Sequence, residues 1–253
     1  MRVALMRARR MSFGLDGQCA VVTGAGRGIG LAISRRFAEL GAKVAGWDLD
    51  IQAIRDDPAF AHVAVVDVTD PKSLAAASEA SAERLGDINV LIANAGINGP
   101  TKPVWEYSVD EWNCVIGVDL TGVFLSAQAV LPRMRAAGYG RIIIIASVAA
   151  KEGNPGAVPY GAAKAGAVGF AKGLARELLP SNITVNCIAP VMAETGLLAG
   201  MSPEYIAGKR ALIPMGRLCE PIEVANMAAW IASPLCSFTT GQIFDVTGGR
   251  ATY

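Results

Sequence analysis

Short β-branched runs alternate along the chain with longer stretches whose apolar residues recur every three or four positions. Residues 18–23 form the first such run and lead straight into a glycine cluster. A helix is predicted over residues 28–40, stopped by Gly41 as a C-terminal cap. Residues 43–47 and 62–66 read as the second and third strands. Asp70 and Pro71 then open a helix, an acidic N-cap followed by proline at the first helical position. Residues 88–93 give a fourth strand and residues 110–137 a long helix. The fifth strand, residues 141–146, carries four consecutive isoleucines, which suits a central parallel strand buried on both faces. A helix over 159–179, a strand over 183–188, a helix over 221–232 and a strand over 242–246 complete the series.

Strands that alternate with helices imply parallel βαβ units, hence an α/β fold with a doubly wound parallel sheet and helices on both faces. Ligands of such sheets sit at the carboxyl ends of the strands. Residues 12–253 read as a single domain, without linker or repeat. Residues 1–11 carry four arginines and only a short apolar stretch. They read as a disordered leader, with Met11 an alternative start. Residues 191–216 are irregular in texture and follow a strand's carboxyl end, so they are a candidate lid. Its Met192, Met201, Tyr205, Ile206 and Met215 read mainly as packing, alongside Glu194, Lys209 and Arg210.

The bulk numbers narrow the function classes. Of 253 residues, 52% are apolar and 18% charged, enough for a sizeable core. A net charge of +1 gives no general attraction to nucleic acid or an anionic membrane, and 6% aromatic residues offer little surface for stacking bases. No stretch is an uninterrupted apolar run of spanning length. The five cysteines, Cys19, Cys114, Cys187, Cys219 and Cys236, are odd in number and show no CxxC spacing. They read as buried small residues in a reducing, cytoplasmic setting rather than disulfides or metal ligands. His62 is the only histidine, at the start of a strand, so neither a histidine-based hydrolase nor a histidine metal site is expected.

The first strand runs into Thr23-Gly24-Ala25-Gly26-Arg27-Gly28-Ile29-Gly30. Its glycines permit a tight turn and close backbone approach, and the next helix points free N–H groups at whatever lies there. In the order strand, turn, helix, this is a pyrophosphate cradle for a dinucleotide. Asp48 lies 18 residues beyond Gly30, just past the second strand. A carboxylate there accepts bonds from both adenosine ribose hydroxyls and repels a 2′-phosphate. The next residue is Leu49, not an arginine that would offset it, so NAD is expected over NADP. Arg27 is the cation of the turn that can reach a phosphate.

Tyr160 and Lys164 are four apart on a predicted helix and share one face. Free tyrosine ionises near pH ~10, so a tyrosine base at neutral pH needs a cation beside it. Ser147 ends the fifth strand, 13 residues before Tyr160, where its hydroxyl can hold a substrate oxygen.

With Thr23 to Gly30, Asn94-Ala95-Gly96, Ser147 and Tyr160-Gly-Ala-Ala-Lys164 in this order, the chain resembles the short-chain dehydrogenase/reductase family from about residue 12 to its end. The resemblance implies a Rossmann-type fold and hydride transfer to a nicotinamide cofactor. It places Asp67 and Val68 at the adenine, Asn94, Ala95 and Gly96 along the cofactor groove, Lys164 at the nicotinamide ribose, and Pro190, Ala193 and Thr195 at the carboxamide and phosphates. It also implies a homotetramer whose tails pack on neighbouring subunits. Two departures stand out. Asp119 replaces the family's usual asparagine, which helps hold a water chain behind the lysine, so the proton relay is expected to differ. Val191 replaces a glycine, and valine tolerates positive φ poorly, so the lid's start is expected to differ.

Beyond Ser147 lie Lys151, Glu152, Gly153, Asn154 and Pro155, polar for a loop beside a hydride-transfer site. Lys151, Glu152, Asn154 and Met192 are therefore candidate substrate contacts. Arg250, on the terminal tail, is a candidate carboxylate clamp in an adjacent subunit's site. This loop and the Gly-Gly-Arg-Ala-Thr-Tyr ending resemble family members that oxidise the C4 hydroxyl of 2-keto-3-deoxy-L-sugar acids such as L-2-keto-3-deoxyfuconate. The alternatives are a 3-oxoacyl-thioester reductase, which would favour NADPH, and a nucleotide-binding regulator that has lost catalysis. The regulator is expected to lack Ser147, Tyr160 or Lys164, and all three are present.

Overall fold

The four isoleucines lie in β5 (Gly140–Ile145), and their side chains alternate between two cores. Ile143 and Ile145 pack on one face of the sheet, Ile142 and Ile144 on the other, and each is almost wholly buried. Burying such a side chain stabilises the fold by roughly 1.5–3 kcal/mol. A strand apolar on both sides has no face it can turn to water, which fixes it at the centre of the sheet.

The structure is a computed structural model that describes residues 14–196 and 202–253. Around β5 lie β1 (Cys19–Thr23), β2 (Lys43–Asp48), β3 (His62–Val65), β4 (Val90–Ala93), β6 (Ile183–Pro190) and β7 (Ile243–Val246). The sheet has seven strands in the order β3-β2-β1-β4-β5-β6-β7, and every pairing is parallel. Helices α1 (Gly28–Glu39) and α8 (Pro221–Ala232) contribute Ile33, Phe37, Val224 and Ala228 to one core. Helices α2 (Pro71–Leu85), α4 (Gly122–Ala137) and α6 (Val158–Glu177) supply Leu74, Val130, Met134 and Ala171 to the other. Strand order reverses between β1 and β4, and the crevice there is where such sheets take ligands.

Most expected elements are present with ends shifted by a residue or two. Asp70 caps α2 as expected, its side chain accepting the Lys72 N–H at 2.9 Å. Gly41 follows α1 at φ +92°, a conformation that glycine adopts without steric cost. Three expectations need correction. The loop after Ser147 is a short helix, α5 (Ala149–Glu152). The segment expected as a lid includes α7 (Pro203–Ala211), capped by Ser202; Ile206 packs on the core, but Tyr205 and Met215 are exposed. Cys114 is exposed, while the other four cysteines are buried. The expected leader and Met201 lie outside the described residues.

The long helix runs from α3 (Val109–Ile116) into α4 through a π turn at Gly117–Thr121. By length and composition alone, the run Val109–Ala137 is apolar enough to cross a bilayer. Here Val115, Val123, Ala127, Val130 and Met134 lie buried in the core. The π turn shifts the residues that follow around the helix axis, and such turns often mark functional sites.

Candidate active site

The glycine turn is held from behind by Asn94. Its amide nitrogen donates to the carbonyls of both Thr23 and Gly24 at 3.0 Å. The Thr23 hydroxyl accepts the N–H groups of Asn94 and Ala95 at 2.9 and 3.0 Å. The ends of β1 and β4 are thus bonded together at the switch point. The packing leaves no room for larger residues: a Cβ on Gly30 would stand 2.1 Å from the Gly24 carbonyl oxygen. Asn94 therefore shapes the turn with its own side chain, a role its place in the motif did not reveal.

The first turn of α1 has no side-chain cap, and Arg27 at the N-cap is exposed. Uncapped N–H groups beside a glycine cradle fit a pyrophosphate. Ile29 packs on the core behind the turn. Thr195 faces Gly28, where a Cβ would come 3.3 Å from the threonine methyl. At the next strand end, Asp48 Oδ2 accepts the Gly26 N–H at 2.7 Å and Oδ1 accepts the Asp50 N–H at 3.1 Å. Each oxygen keeps a lone pair for a ribose hydroxyl. Leu49 is 68% exposed and offers no cation there. Asp67 is exposed, its Oδ1 accepting from the Thr69 N–H at 2.8 Å, and Val68 is buried against Gly122.

Tyr160 and Lys164 both lie on α6, with the lysine nitrogen 5.7 Å from the centroid of the tyrosine ring. Lys164 Nζ donates to the Ile145 carbonyl at 3.0 Å. That bond pins α6 to the end of β5, two residues before Ser147. The Ser147 hydroxyl oxygen accepts the Ala149 N–H at 3.1 Å, leaving its proton free to donate. On the other side, Asp119 Oδ2 stands 3.3 Å from Lys164 Nζ. Its Oδ1 accepts the Ile97 N–H at 2.7 Å. Burial pushes the Asp119 carboxyl up from the ordinary carboxylate range, opposed by the Lys164 ammonium and the Ile97 N–H. Gly96 lets the pair approach the chain, since a Cβ there would lie 2.9 Å from Asp119 Oδ2.

The structure brings together Ser147, Tyr160, Lys164 and Asp119 at the carboxyl edge of the sheet. It distributes the candidate substrate residues differently from expectation. Lys151 pairs with Asp245 at 2.7 Å and reaches the Tyr253 carbonyl. Arg250 holds Glu152 of its own chain through Nε at 2.8 Å and Nη2 at 2.7 Å. Asn154 accepts from Lys209 Nζ of α7 at 3.1 Å. Lys209 thus faces a neutral partner, whereas Lys151 and Arg250 face carboxylates. These residues lie 55 positions apart in sequence, and no local pattern signals the contact. Val191 is buried and outside the positive-φ region, which among non-glycine described residues only Asn182 occupies. Its N–H donates to the Val246 carbonyl at 3.1 Å, so the chain after Pro190 continues as an extension of the sheet and valine meets no strain. Beyond Pro190, the half-buried Met192 and then Ala193 run beside Cys219, which bonds to the Met192 carbonyl at 3.2 Å.

Residues 24–251 match the family model described as enoyl-(acyl carrier protein) reductase. The chain is 43% identical over 240 residues to the 2-dehydro-3-deoxy-L-rhamnonate dehydrogenase (NAD(+)) of Sphingomonas sp. (strain SKA58), covering 94% of this chain and 96% of that one. It is 42% identical over 236 residues to the cis-4-hydroxycyclohexanecarboxylate dehydrogenase of Sinomonas cyclohexanicum, covering 91% and 95%. The crystal structure of 3-ketoacyl-(acyl-carrier-protein) reductase from Brucella melitensis complexed with NADH superposes with a TM-score of 0.89 at 33% identity, covering 94% of this chain and all of that one.

Proposed function

The chain belongs to the short-chain dehydrogenase/reductase family, and from that premise we propose that this NAD-dependent oxidoreductase oxidises the C4 hydroxyl of a 2-keto-3-deoxy-L-sugar acid. The observation that carries the substrate is the 43% identity, over nearly the whole of both chains, to a dehydrogenase named for such an acid. Asp48 supports NAD as the acceptor, because its carboxylate at the glycine turn disfavours a 2′-phosphate.

The side chains suit the chemistry of a secondary alcohol. Ser147 donates its proton to the substrate oxygen and holds it beside Tyr160. Tyr160 takes the hydroxyl proton as the carbon gives up its hydride. The glycine turn and Asp48 would hold NAD⁺, which would supply the hydride acceptor. Lys164 is the cation that favours the tyrosine phenolate, and its bond to Ile145 fixes it there. Gly24, Arg27, Gly28, Ile29 and Gly30 hold the pyrophosphate, Asp67 and Val68 the adenine, Asn94 to Gly96 the groove, and Pro190, Ala193 and Thr195 the nicotinamide end. Lys209 is assigned to the substrate carboxylate, since it is near Asn154 and has no carboxylate partner among the described residues.

Residues 12–253 act as one catalytic domain in a soluble cytoplasmic enzyme. We read the assembly as a homotetramer, with the exposed Phe124 of α4, which stands edge-to-face on the half-buried Phe170 of α6, offered to a second copy. The test is a panel of NAD⁺ reductions with 2-keto-3-deoxy-L-rhamnonate, 2-keto-3-deoxy-L-fuconate and simple secondary alcohols, beside NADPH oxidation with a 3-oxoacyl thioester. Sugar-acid turnover exceeding the thioester reaction is expected. The reverse order would favour a reductase.

A further inference from the structure

We propose that Asp119 is an ionised counter-ion of Lys164 and that its charge sets the pH window in which Tyr160 and Lys164 transfer protons. It is a positioning residue, acting through Lys164 rather than on the substrate. The inference rests on reading Tyr160 and Lys164 as the proton-transfer pair, but not on which alcohol is the substrate.

The geometry supplies the ionisation state. Asp119 is fully buried at 0% exposure. One oxygen faces the Ile97 N–H at 2.7 Å and the other the Lys164 ammonium at 3.3 Å. Both neighbours are donors, so an acid proton on Oδ2 would point at the Lys164 ammonium. A protonated carboxyl would therefore set one donor against another, while a carboxylate matches both contacts. Ion pairing also answers the cost of burying Lys164, which is 3% exposed.

Few other charges bear on this pair. Helix α6 contributes Lys164 and Tyr160, and the segment after β4 presents only the Ile97 N–H and Gly96. Strand β5 offers the Ile145 carbonyl, and β6 offers Cys187, whose thiol burial pushes up to about 12, keeping it neutral. The remaining buried charge among the described residues is Arg141, bonded to the Gly140 and Asn182 carbonyls at the opposite end of β5.

A fixed negative charge makes every neighbouring group hold its proton to higher pH. Here the negative charge lies 3.3 Å from the Lys164 ammonium, within the proton-transfer site. Removing it is therefore expected to show as a move of the pH profile of turnover to lower pH. A protonated, neutral aspartate would not do this.

The experiment is kcat against pH for alcohol oxidation in the wild type and in Asp119→Asn, with Asp119→Thr as a second neutral variant. Each folded neutral variant is expected to move the profile to lower pH, by about one unit, the small end of the range for a charge within a site. A window that stays put or moves upward overturns the proposal. For the unmodified protein at pH 7, the infrared spectrum should show no buried protonated carboxyl; such a band would overturn it without any variant. If Tyr160→Phe keeps its turnover, it is the proton-transfer reading that fails; an unmoved window in an enzyme dependent on Tyr160 condemns the counter-ion alone.

Discussion

Gly26 donates its backbone N–H to Asp48 at 2.7 Å, so the carboxylate that would select the cofactor is bonded to the turn that would hold its phosphates. A Cβ on Gly26 would stand 2.9 Å from the same oxygen, which is why the turn needs glycine there. Two parts of the nucleotide site that are 22 residues apart are thereby one rigid unit.

This coupling predicts the effect of Asp48→Ala. The variant loses charge-assisted bonds to ribose, worth roughly 1.5–3 kcal/mol each, and the repulsion of a 2′-phosphate. The ratio of kcat/KM for NAD⁺ to that for NADP⁺ is expected to fall by about tenfold or more. Steady-state kinetics with both cofactors measures it, and an unchanged ratio would remove Asp48 from the ribose contact.

Gly96→Ala tests the close approach to the ion pair. Its methyl would lie 2.9 Å from Asp119 Oδ2 and 3.2 Å from Lys164 Nζ, both at the rigid centre of the site. Overpacking of this kind costs about 1–3 kcal/mol. A lower Tm is expected, with kcat reduced more than NADH affinity. Wild-type kcat in this variant would show that the pair tolerates displacement.

Lys209→Ala addresses the substrate's charge. Loss of a bond to a carboxylate, roughly 1.5–3 kcal/mol, should raise KM for a sugar acid by about tenfold or more. KM for a neutral alcohol should barely change, and Lys209→Arg should restore part of the difference. Equal changes for both substrates would reassign Lys209 to lid structure alone.

Glu223 carries a pH dependence with a definite sign. The hydrogen bond from Arg217, joined by the Glu220 N–H, lowers its carboxyl from 4.5 to about 2. The contribution is present above pH 4.5 and fades as pH falls toward 2. The Tm difference between wild type and Glu223→Gln should therefore shrink through that window. A difference that grows on acidification would contradict the pairing.

Much of this architecture was legible because its causes are local. Alternating patterns gave the strands, the isoleucine run gave the central one, and Asp70-Pro71 marked a helix start. The glycine turn is read from its place between a strand and a helix, and Ser147, Tyr160 and Lys164 from their joint order and spacing and the family resemblance these carry. What stayed hidden depends on contacts distant in sequence. The π turn that presents Asp119 has no sequence signature, and the Lys209–Asn154 bond joins residues 55 apart. Arg250 and Lys151 read as free cations because their partners, Glu152 and Asp245, are assigned only by the folded chain. Val191 seemed out of place for the opposite reason: a family glycine suggested a positive φ that this backbone does not adopt.

The central claim is that Tyr160 moves the proton while its neighbours bind the cofactor, and Tyr160→Phe separates the two. Loss of acid–base catalysis typically costs 10²–10⁴-fold in rate, whereas removing one hydroxyl leaves the glycine turn and Asp48 intact. The direct measurement is NAD⁺ reduction by the variant, alongside NADH binding followed by fluorescence. Turnover reduced by at least about a hundredfold with NADH affinity nearly unchanged is the predicted result. Turnover close to wild type in a variant that still binds NADH would contradict it.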